Sequence, residues 1–531
     1  MKISFKQFPA VIQEDLNSNN GFQQALNRLE TGSPDTKRSW FYEDKDPKWI
    51  LSTITSKLNG MKDLSIIADF DLSKVDKFGP QGGAAPLKDR LDSFNEYFEH
   101  LDSPKIIKSA IWQKAKKRAI KELGFNESGV PLTLKAVTDR GISEDKYNTN
   151  SGYPLFVKRK SKAAIDNAIS VGFDSISEKY PCTLGSRATM GKTGKDARNI
   201  FMASMAVNVC GQCYQMPLQD YIRSKHVVFF IPWEGWSKVQ EEISAKWDSG
   251  LKFGADYTKM DQHFNLHHAL EVYDVIKHYF KKAYWEQLKS SIAYVFSVPI
   301  LTNLGYVDQE HAMPSGSEWT NFLETMWNYI FTIYLEEKYH LDFQSKMGIG
   351  DDQLWIIAGK WTDKQVQWII DTVIAEFELA GLPGNPEKQE VSMTKTGFLQ
   401  RFCCSDWNGL DGKTRAAGVY SLVRNVTSEV YPERYHNDKD WDRHMFALRC
   451  IMIAENCNQH PLFTWYVKDF LAKANANILE FASESDSRIQ EYEKQAKNIA
   501  GFVPTYNQEK QDQSILDFST LKLLRECIRD K

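Results

Sequence analysis

Apolar and polar positions change rhythm several times along this chain. Between residues 49 and 247 apolar side chains recur at helical spacing, interrupted by polar loops. Residues 251–256 form a short, mostly apolar run that ends in an acid, the pattern of a buried strand. A long helical stretch is predicted around residues 263–298, a turn at Pro314-Ser315-Gly316, and a strongly helical segment over residues 319–339. Residues 346–350 and 353–358 are short and largely apolar. They flank Asp351-Asp352, which predicts a hairpin with the acids at its tip. Thr362-Asp-Lys-Gln365 is a capping box that would open a helix ending near Gly381. Beyond residue 403 the pattern is mostly helical, with a looser segment at 501–507. Residues 1–50 are polar, with loop-like stretches at 17–21 and 31–36, and read as an extended arm with short helices. Strand, helix, helix, hairpin and helix in that order predict a small sheet backed by helices.

Composition narrows the function. A chain of 531 residues exceeds one typical core, so several subdomains are expected. The formal net charge of −3 excludes a protein that simply coats nucleic acid, which would be strongly basic. Nucleic-acid contact would have to come from local basic stretches. Two are present: Lys158, Arg159, Lys160 and Lys162, and then Arg187, Lys192, Lys195 and Arg198. No apolar run approaches the roughly 18 residues that span a membrane, and residues 1–10 lack a signal-peptide pattern. Eight cysteines are too sparse for a disulfide scaffold, so a reducing, cytoplasmic setting is expected. Cys210 and Cys213 form one CxxC and Cys403-Cys404 are adjacent; without a second ordered pair, buried thiols are expected rather than zinc.

The acids suggest the chemistry. Nucleotidyl transfer to a growing chain uses two divalent metals about 3.5–4 Å apart, one activating the attacking oxygen and one stabilising the leaving pyrophosphate. Mg²⁺ is satisfied by a few carboxylates and the substrate phosphates. Carboxylates from different strands must therefore meet. Asp256 at the end of the predicted strand and Asp351 at the predicted hairpin tip would meet if these elements pack antiparallel, with Gly350 allowing the tight turn.

Three motifs add a resemblance. Asp256-Tyr-Thr-Lys-Met-Asp261 is similar to the first palm motif of viral RNA-dependent RNA polymerases. Ser315-Gly316-Ser-Glu-Trp-Thr320 is similar to the second and Gly350-Asp351-Asp352 to the third, in the family's order. Thr149-Asn-Ser-Gly152-Tyr-Pro154 resembles the fingers motif near the template entry, and the segment from Arg187 to Ile200 resembles the basic fingertip motif. Asn385-Pro-Glu-Lys388 resembles the loop with the palm lysine, and Phe398-Leu-Gln-Arg401-Phe402 the primer-grip hairpin. The size and the Met313-Pro-Ser-Gly-Ser-Glu wording resemble the polymerases of picobirnaviruses and related partitivirus-like double-stranded RNA viruses.

This resemblance implies an α/β (α+β) right-hand polymerase whose palm is an antiparallel sheet backed by helices. The implied division is an N-terminal arm at 1–50 that bridges fingers and thumb, fingers at 51–247 and 263–300, palm at 248–262 and 301–402, and thumb with C-terminal tail at 403–531. It implies Asp256 and Asp351 as ligands of two Mg²⁺ ions (Mn²⁺ able to substitute), Asp352 as auxiliary ligand, and Lys388 as general acid for pyrophosphate. Asp261 and Thr320 would read the ribose 2′-OH, and Ser315 and Gly316 would form a mobile loop touching template and nucleotide. Arg187, Lys192, Lys195 and Arg198 would neutralise the triphosphate, and Gly152, Lys158, Arg159 and Arg401 would contact RNA. Implied partners are RNA template and product, NTPs and capsid protein, with genome replication and transcription in the virion interior and host cytoplasm.

Some positions depart from the family's pattern or admit plainer readings. Glu324 stands where an Asn is common four residues after the Thr, and Gln400 where a Lys is common. Asp71 and Asp76 repeat the five-residue spacing with no later motifs and read as surface or capping acids. Gly191-Lys192-Thr193 lacks the glycine spacing and preceding strand of a phosphate-binding loop. His267-His268 read as structural, since neighbours on a helix diverge. The tail after Phe502, with Tyr506, could reach the active-site cavity as an initiation platform. Two rival functions share the fold. A reverse transcriptase would have an aromatic residue two positions before the paired acids, where Ile349 stands, and an RNA-binding protein with a dead site would not keep both Asp256 and Asp351.

Overall fold

A computed structural model describes residues 3–433, 435–439, 441–497 and 513–529. Its strands are β1 (Cys182–Arg187), β2 (Arg198–Met202), β3 (Gly250–Ala255), β4 (Ile300–Thr302), β5 (Gly305–Val307), β6 (Phe343–Ile349), β7 (Asp352–Ala358), β8 (Glu390–Ser392), β9 (Lys395–Phe398), β10 (Arg401–Cys404) and β11 (Val419–Tyr420). The palm sheet has the order β6-β7-β3-β8, and every neighbouring pair is antiparallel. The predicted strand and hairpin are both present. β3 is buried along its whole length, so Lys252 must be paired inside. Its ammonium donates to the Met393 carbonyl at 2.7 Å and lies over the Trp247 ring, and burial lowers its pKa to about 8.

Helices cover one face of this sheet. The helix Thr320–Tyr339 is buried without interruption from Phe322 to Leu335, so it runs through the core rather than along its rim. The helix Asp363–Leu379 opens on the predicted Thr362–Gln365 capping box, and Gly381 follows its end with a left-handed φ of 67°. The predicted long helix over 263–298 is instead two helices, Leu266–Ile276 and Trp285–Val295. Between them the backbone carbonyls of His278 and Tyr279 accept from Glu127 and Gly129, and Phe280 is fully buried. That pairing with a distant segment interrupts the helical ladder.

The fingers region holds a sheet that periodicity did not reveal, in the order β2-β1-β4-β5. β1 and β2 form an antiparallel hairpin whose tip carries the basic fingertip segment, and β1 runs parallel to β4. The helices Ala10–Ser18 and Asn20–Thr31 pack on this region through Ile12, Phe22, Leu26 and Leu29. The chain then crosses to the C-terminal helices. Ser39 N–H donates to the Val430 carbonyl, and Phe41 and Tyr42 are buried among thumb side chains. Ile50, Ile54, Leu58 and Ala68 join the same cluster, so the chain around and just after position 51 packs on the C-terminal helices.

The thumb joins the sheet β11-β10-β9 to helices that include Leu422–Val430, Arg443–Ala454 and Asp486–Lys497. The helix Ser519–Arg529 packs there through Leu521 and Leu524, and the Glu455 carboxylate accepts from Thr520. Phe502 and Tyr506, the tail residues proposed for initiation, lie outside the described residues. All cysteines except half-exposed Cys527 are buried and free, and no helix among the described residues is long and apolar enough to cross a membrane.

Candidate active site

Strand register brings the two key acids together. Ala255 pairs with Gln353 across β3 and β7, and Ile349 pairs with Asp352 across the β6–β7 turn. Asp256, one residue past β3, therefore stands beside Asp351 at the turn. Gly350 has φ 58°, which the turn needs and an L side chain rarely adopts. Its N–H donates to Thr325 Oγ1 at 2.8 Å and its carbonyl accepts from Asn328 Nδ2 at 2.7 Å. Asn328 Oδ1 in turn accepts from the Tyr257 hydroxyl at 2.7 Å. On the other side, Gln389, one residue before β8, accepts from the Asp256 N–H at 3.1 Å and donates to its carbonyl at 2.8 Å. Sequence reasoning missed Tyr257, Thr325, Asn328 and Gln389. The available signal was a polar stripe at Asn321, Thr325 and Asn328, one face of an otherwise apolar helix.

The site's charge is unbalanced toward the negative. Burial raises the Asp256 pKa, opposed by the Lys388 ammonium. Burial also raises Asp351, and the charges of Asp261 and Asp256 add to it, with Arg198 opposing. Asp351 is nevertheless exposed at the hairpin tip. Burial pushes Asp352 to about 7, although the Leu399 N–H donates to its carboxylate at 2.9 Å. Crowded oxygen donors with too little positive charge suit a hard divalent cation. Among the described residues no group of three or more His, Cys, Asp and Glu side chains is placed to hold a metal ion by itself.

Around these acids lie the residues for which the resemblance implied sugar reading. The Ser315 hydroxyl donates to Asp261, and the Ser315 carbonyl accepts from the Phe201 N–H at 2.9 Å, stitching this loop to β2. Gly316 is exposed in the same loop. Glu324 is 4% exposed beside Asp261 and Asp351, and burial with those two charges pushes its pKa well above the usual range. Glu324 Oε1 and Thr320 Oγ1 are buried with no hydrogen-bond partner, so two polar atoms stand free at this wall.

No protein-family model matches the chain. It is 24% identical over 482 residues, covering 87% of this chain and 86% of the other, to a protein described as a potential RNA-dependent RNA polymerase of a human picobirnavirus, strain Human/Thailand/Hy005102/-. The crystal structure of the RNA-dependent RNA polymerase of a human picobirnavirus superposes with a TM-score of 0.81 at 21% identity, covering 98% of this chain and 100% of that one. Its insertion-loop deletion mutant superposes at 0.76, with the same identity and coverage. This is the right-hand fold of a viral RNA-dependent RNA polymerase.

Within that polymerase fold the basic residues divide. Arg198 opens β2, and its charge reaches Asp351. Lys192 and Lys195 are exposed on the fingertip turn, which a Thr193–Asp196 capping box holds. Lys388 is exposed on the 3₁₀ turn Pro386–Lys388. Arg187 donates to Glu433 at 2.9 Å. Lys158 is exposed, and Gly152 lies in the turn before it with φ 67°. Arg159 donates to the Asn150 carbonyl at 3.2 Å, and burial lowers its pKa. One expectation needs correction. Arg401 is 4% exposed, lies over the Trp236 ring and donates to the Asn456 carbonyl at 3.1 Å, so it ties the hairpin to the thumb and is shielded from RNA. Of the two readings of Asp71, surface or capping acid, the capping one holds. It is fully buried and caps the thumb helix Leu422–Val430, accepting from Ser421, Leu422 and Val423. His268 is structural as read: it is buried, and Nε2 contacts the Ala380 carbonyl at 2.8 Å.

Proposed function

We propose that the protein is an RNA-directed RNA polymerase that copies a viral genome by two-metal nucleotidyl transfer from NTPs. The observation that carries this reading is the meeting of Asp256 and Asp351 on paired strands, under Asp261, Ser315 and Thr320, in a right-hand fold. Asp256 and Asp351 would hold Mg²⁺, with Mn²⁺ able to substitute, and Asp352 supports the tip through its bond to Leu399. When bound, the ions would supply charge for the attacking 3′ oxygen and the leaving pyrophosphate. The chain's own residues do the rest. Asp261 and Thr320 sense the 2′-OH, Arg198 with Lys192 or Lys195 neutralises the triphosphate, and Lys388 gives a proton to pyrophosphate. RNA template and product are the partners, with Lys158 and the Gly152 turn on the template side. We place this activity in the virion interior and the host cytoplasm, with capsid protein as a further partner.

The test is incorporation of labelled NTPs on single-stranded RNA with Mg²⁺, primed and unprimed, beside Asp351→Ala and a dNTP arm. Template-length product from NTPs that disappears in the variant supports the reading. Product from dNTPs instead would make the protein a reverse transcriptase. No product from the wild type under any of these conditions would count against catalysis.

A further inference from the structure

One short segment ties the fingers sheet to the two loops that carry Asp261 and Ser315. It comprises Arg90, the helix Leu91–Asn95 and the 3₁₀ turn Glu96–Phe98. At its start the Arg90 guanidinium is buried and clasps the β1–β2 hairpin. Nη1 donates to the Ala197 carbonyl at 3.2 Å and to Asn199 Oδ1 at 3.1 Å, Nη2 donates to Ser186 Oγ, and Nε donates to the Ala85 carbonyl at 2.9 Å. All four acceptors are neutral, so the planar fork supplies geometry rather than charge pairing. The segment then turns to the palm. Asn199 Nδ2 donates to Ser93 Oγ at 3.2 Å, and the Ser93 carbonyl accepts from Gln262 Nε2 at 3.4 Å. Glu96 accepts from Lys259 Nζ at 2.6 Å. Lys259 and Gln262 flank Asp261 in the chain, so the segment grips the Asp261 loop on both sides.

Its far end reaches the Ser315 loop. The Tyr97 carbonyl accepts from the Ala312 N–H at 2.7 Å, and the buried Tyr97 ring meets the Phe201 ring edge to face, with centroids 5.0 Å apart. Phe201 in turn carries the loop. Its N–H donates to the Ser315 carbonyl at 2.9 Å, and a Cβ on Gly316 would run into its carbonyl oxygen. The Tyr97 hydroxyl faces the Ser315 hydroxyl within hydrogen-bond reach, with the Asp261 charge close by. Ser315 gives its own proton to Asp261, which leaves its oxygen to accept from Tyr97. Tyr97, Ser315 and Asp261 are thus a relay that ends on a carboxylate, and such a chain strengthens each of its members.

We propose that the segment from Arg90 to Tyr97 is a bracket that fixes the Asp261–Ser315 pair against the fingers sheet, and that the preference for ribose over deoxyribose depends on it. Tyr97 and Arg90 are its positioning residues, acting on the sugar only through Ser315 and Asp261. The inference rests on the polymerase reading of the palm, with Asp261 at the 2′-OH. A carboxylate distinguishes a hydroxyl from a hydrogen only while its oxygen stands at bonding distance and angle. The Ser315 bond sets the orientation of Asp261, and Tyr97 sets the orientation of Ser315. A deoxyribose offers nothing for that orientation to recognise, so losing it should weaken one substrate and spare the other.

The full chain, as wild type, Tyr97→Phe and Arg90→Lys, is compared in single-nucleotide primer extension with an NTP and the matching dNTP, beside thermal melting. Y97F keeps the ring against Phe201 and removes only the hydroxyl; R90K keeps the charge and removes the fork. Each should lower kcat/KM for the NTP about fivefold, the worth of one ordinary buried hydrogen bond, and leave kcat/KM for the dNTP within about twofold. The ribose preference then falls by nearly the same factor. A merely structural role would slow both substrates alike. Equal losses on the two substrates, an unchanged ratio in either folded variant, or a wild type with no ribose preference overturns the bracket while the polymerase reading stands. If R90K melts early, Y97F alone decides. A wild type that extends neither substrate sinks the polymerase reading and this inference with it.

Discussion

Replacing Asn328 with Asp exchanges one nitrogen for one oxygen and should disable the hairpin tip. Asn328 is fully buried and links two elements: Nδ2 donates to the Gly350 carbonyl at 2.7 Å, and Oδ1 accepts from Tyr257 at 2.7 Å. The carboxylate keeps the second bond and turns the first into two oxygens face to face. A lost buried hydrogen bond costs about 1 kcal/mol, and a buried acceptor left without a donor about 1–3 kcal/mol, so the palm should lose about 2–4 kcal/mol. The effect on chemistry should be larger. Gly350 immediately precedes Asp351, and a misplacement of about 1 Å at a reacting centre costs on the order of a hundredfold in rate. Burial raises the pKa of the new acid, and once protonated it can again donate to Gly350. N328D should therefore melt several degrees low and extend primers about a hundredfold slowly at pH 8, and recover part of both at pH 6. Thermal melting and single-nucleotide incorporation at the two pH values measure this. A variant that melts and extends like the wild type at pH 8 would refute the claim that this network positions Asp351.

Three further perturbations probe other parts of the molecule. Glu429 in the thumb is buried, with a pKa raised to about 7 by desolvation although Tyr42, Tyr466 and Asn425 all donate to it. The folded state then binds more protons than the unfolded state between pH about 4.5 and 7, so stability should fall by up to about 3 kcal/mol as pH rises through that window and level off above it. Glu429→Gln should flatten the change in a melting series, and an equally steep variant would contradict the assignment. Arg187→Gln should leave the NTP KM within about twofold, because its guanidinium is spent on Glu433, whereas Arg198→Gln should raise it at least about tenfold; equal effects in steady-state extension would show that Arg187 also reaches the triphosphate. Asp71→Ala leaves the thumb helix uncapped and His460 without its carboxylate, and should cost about 3–5 kcal/mol, read as a lower melting temperature and faster proteolysis near residue 71; unaltered melting would mean the arm adds nothing to the thumb.

The site was legible in the sequence because its acids sit in local patterns. A short apolar run before Asp256 and two short runs around Asp351 encode strand and hairpin within a few residues, and Thr362–Gln365 encodes its helix start the same way. What could not be read depends on distant partners. β1 carries Gly185, Ser186 and Arg187 and has no strand-like alternation, yet pairs in parallel with β4, more than a hundred residues on. The helix break after Ile276 exists because carbonyls there serve Glu127 and Gly129. Arg401 sits in a motif that resembles an RNA-contacting hairpin, but Trp236 and the Asn456 carbonyl, from two other regions, enclose it.

The arm shows how such distant contacts serve the chemistry. Continuing past its expected end at residue 50, the N-terminal segment touches the fingertip turn at Lys77 and Gln81, and it enters the thumb through Tyr42, Ile54 and Asp71. Arg187–Glu433 adds a direct link between the same two regions, but an exposed ion pair of this kind is worth at most about 1 kcal/mol. The buried apolar residues of the arm and the fully engaged Asp71 carboxylate are therefore the stronger tether. A tether of that strength holds the fingertip turn and the thumb at a fixed separation while they flank the palm. The arm is then more than a strap. By setting Lys77 against Gly191 of the fingertip turn and Asp71 at the start of the helix Leu422–Val430, it holds both regions at once.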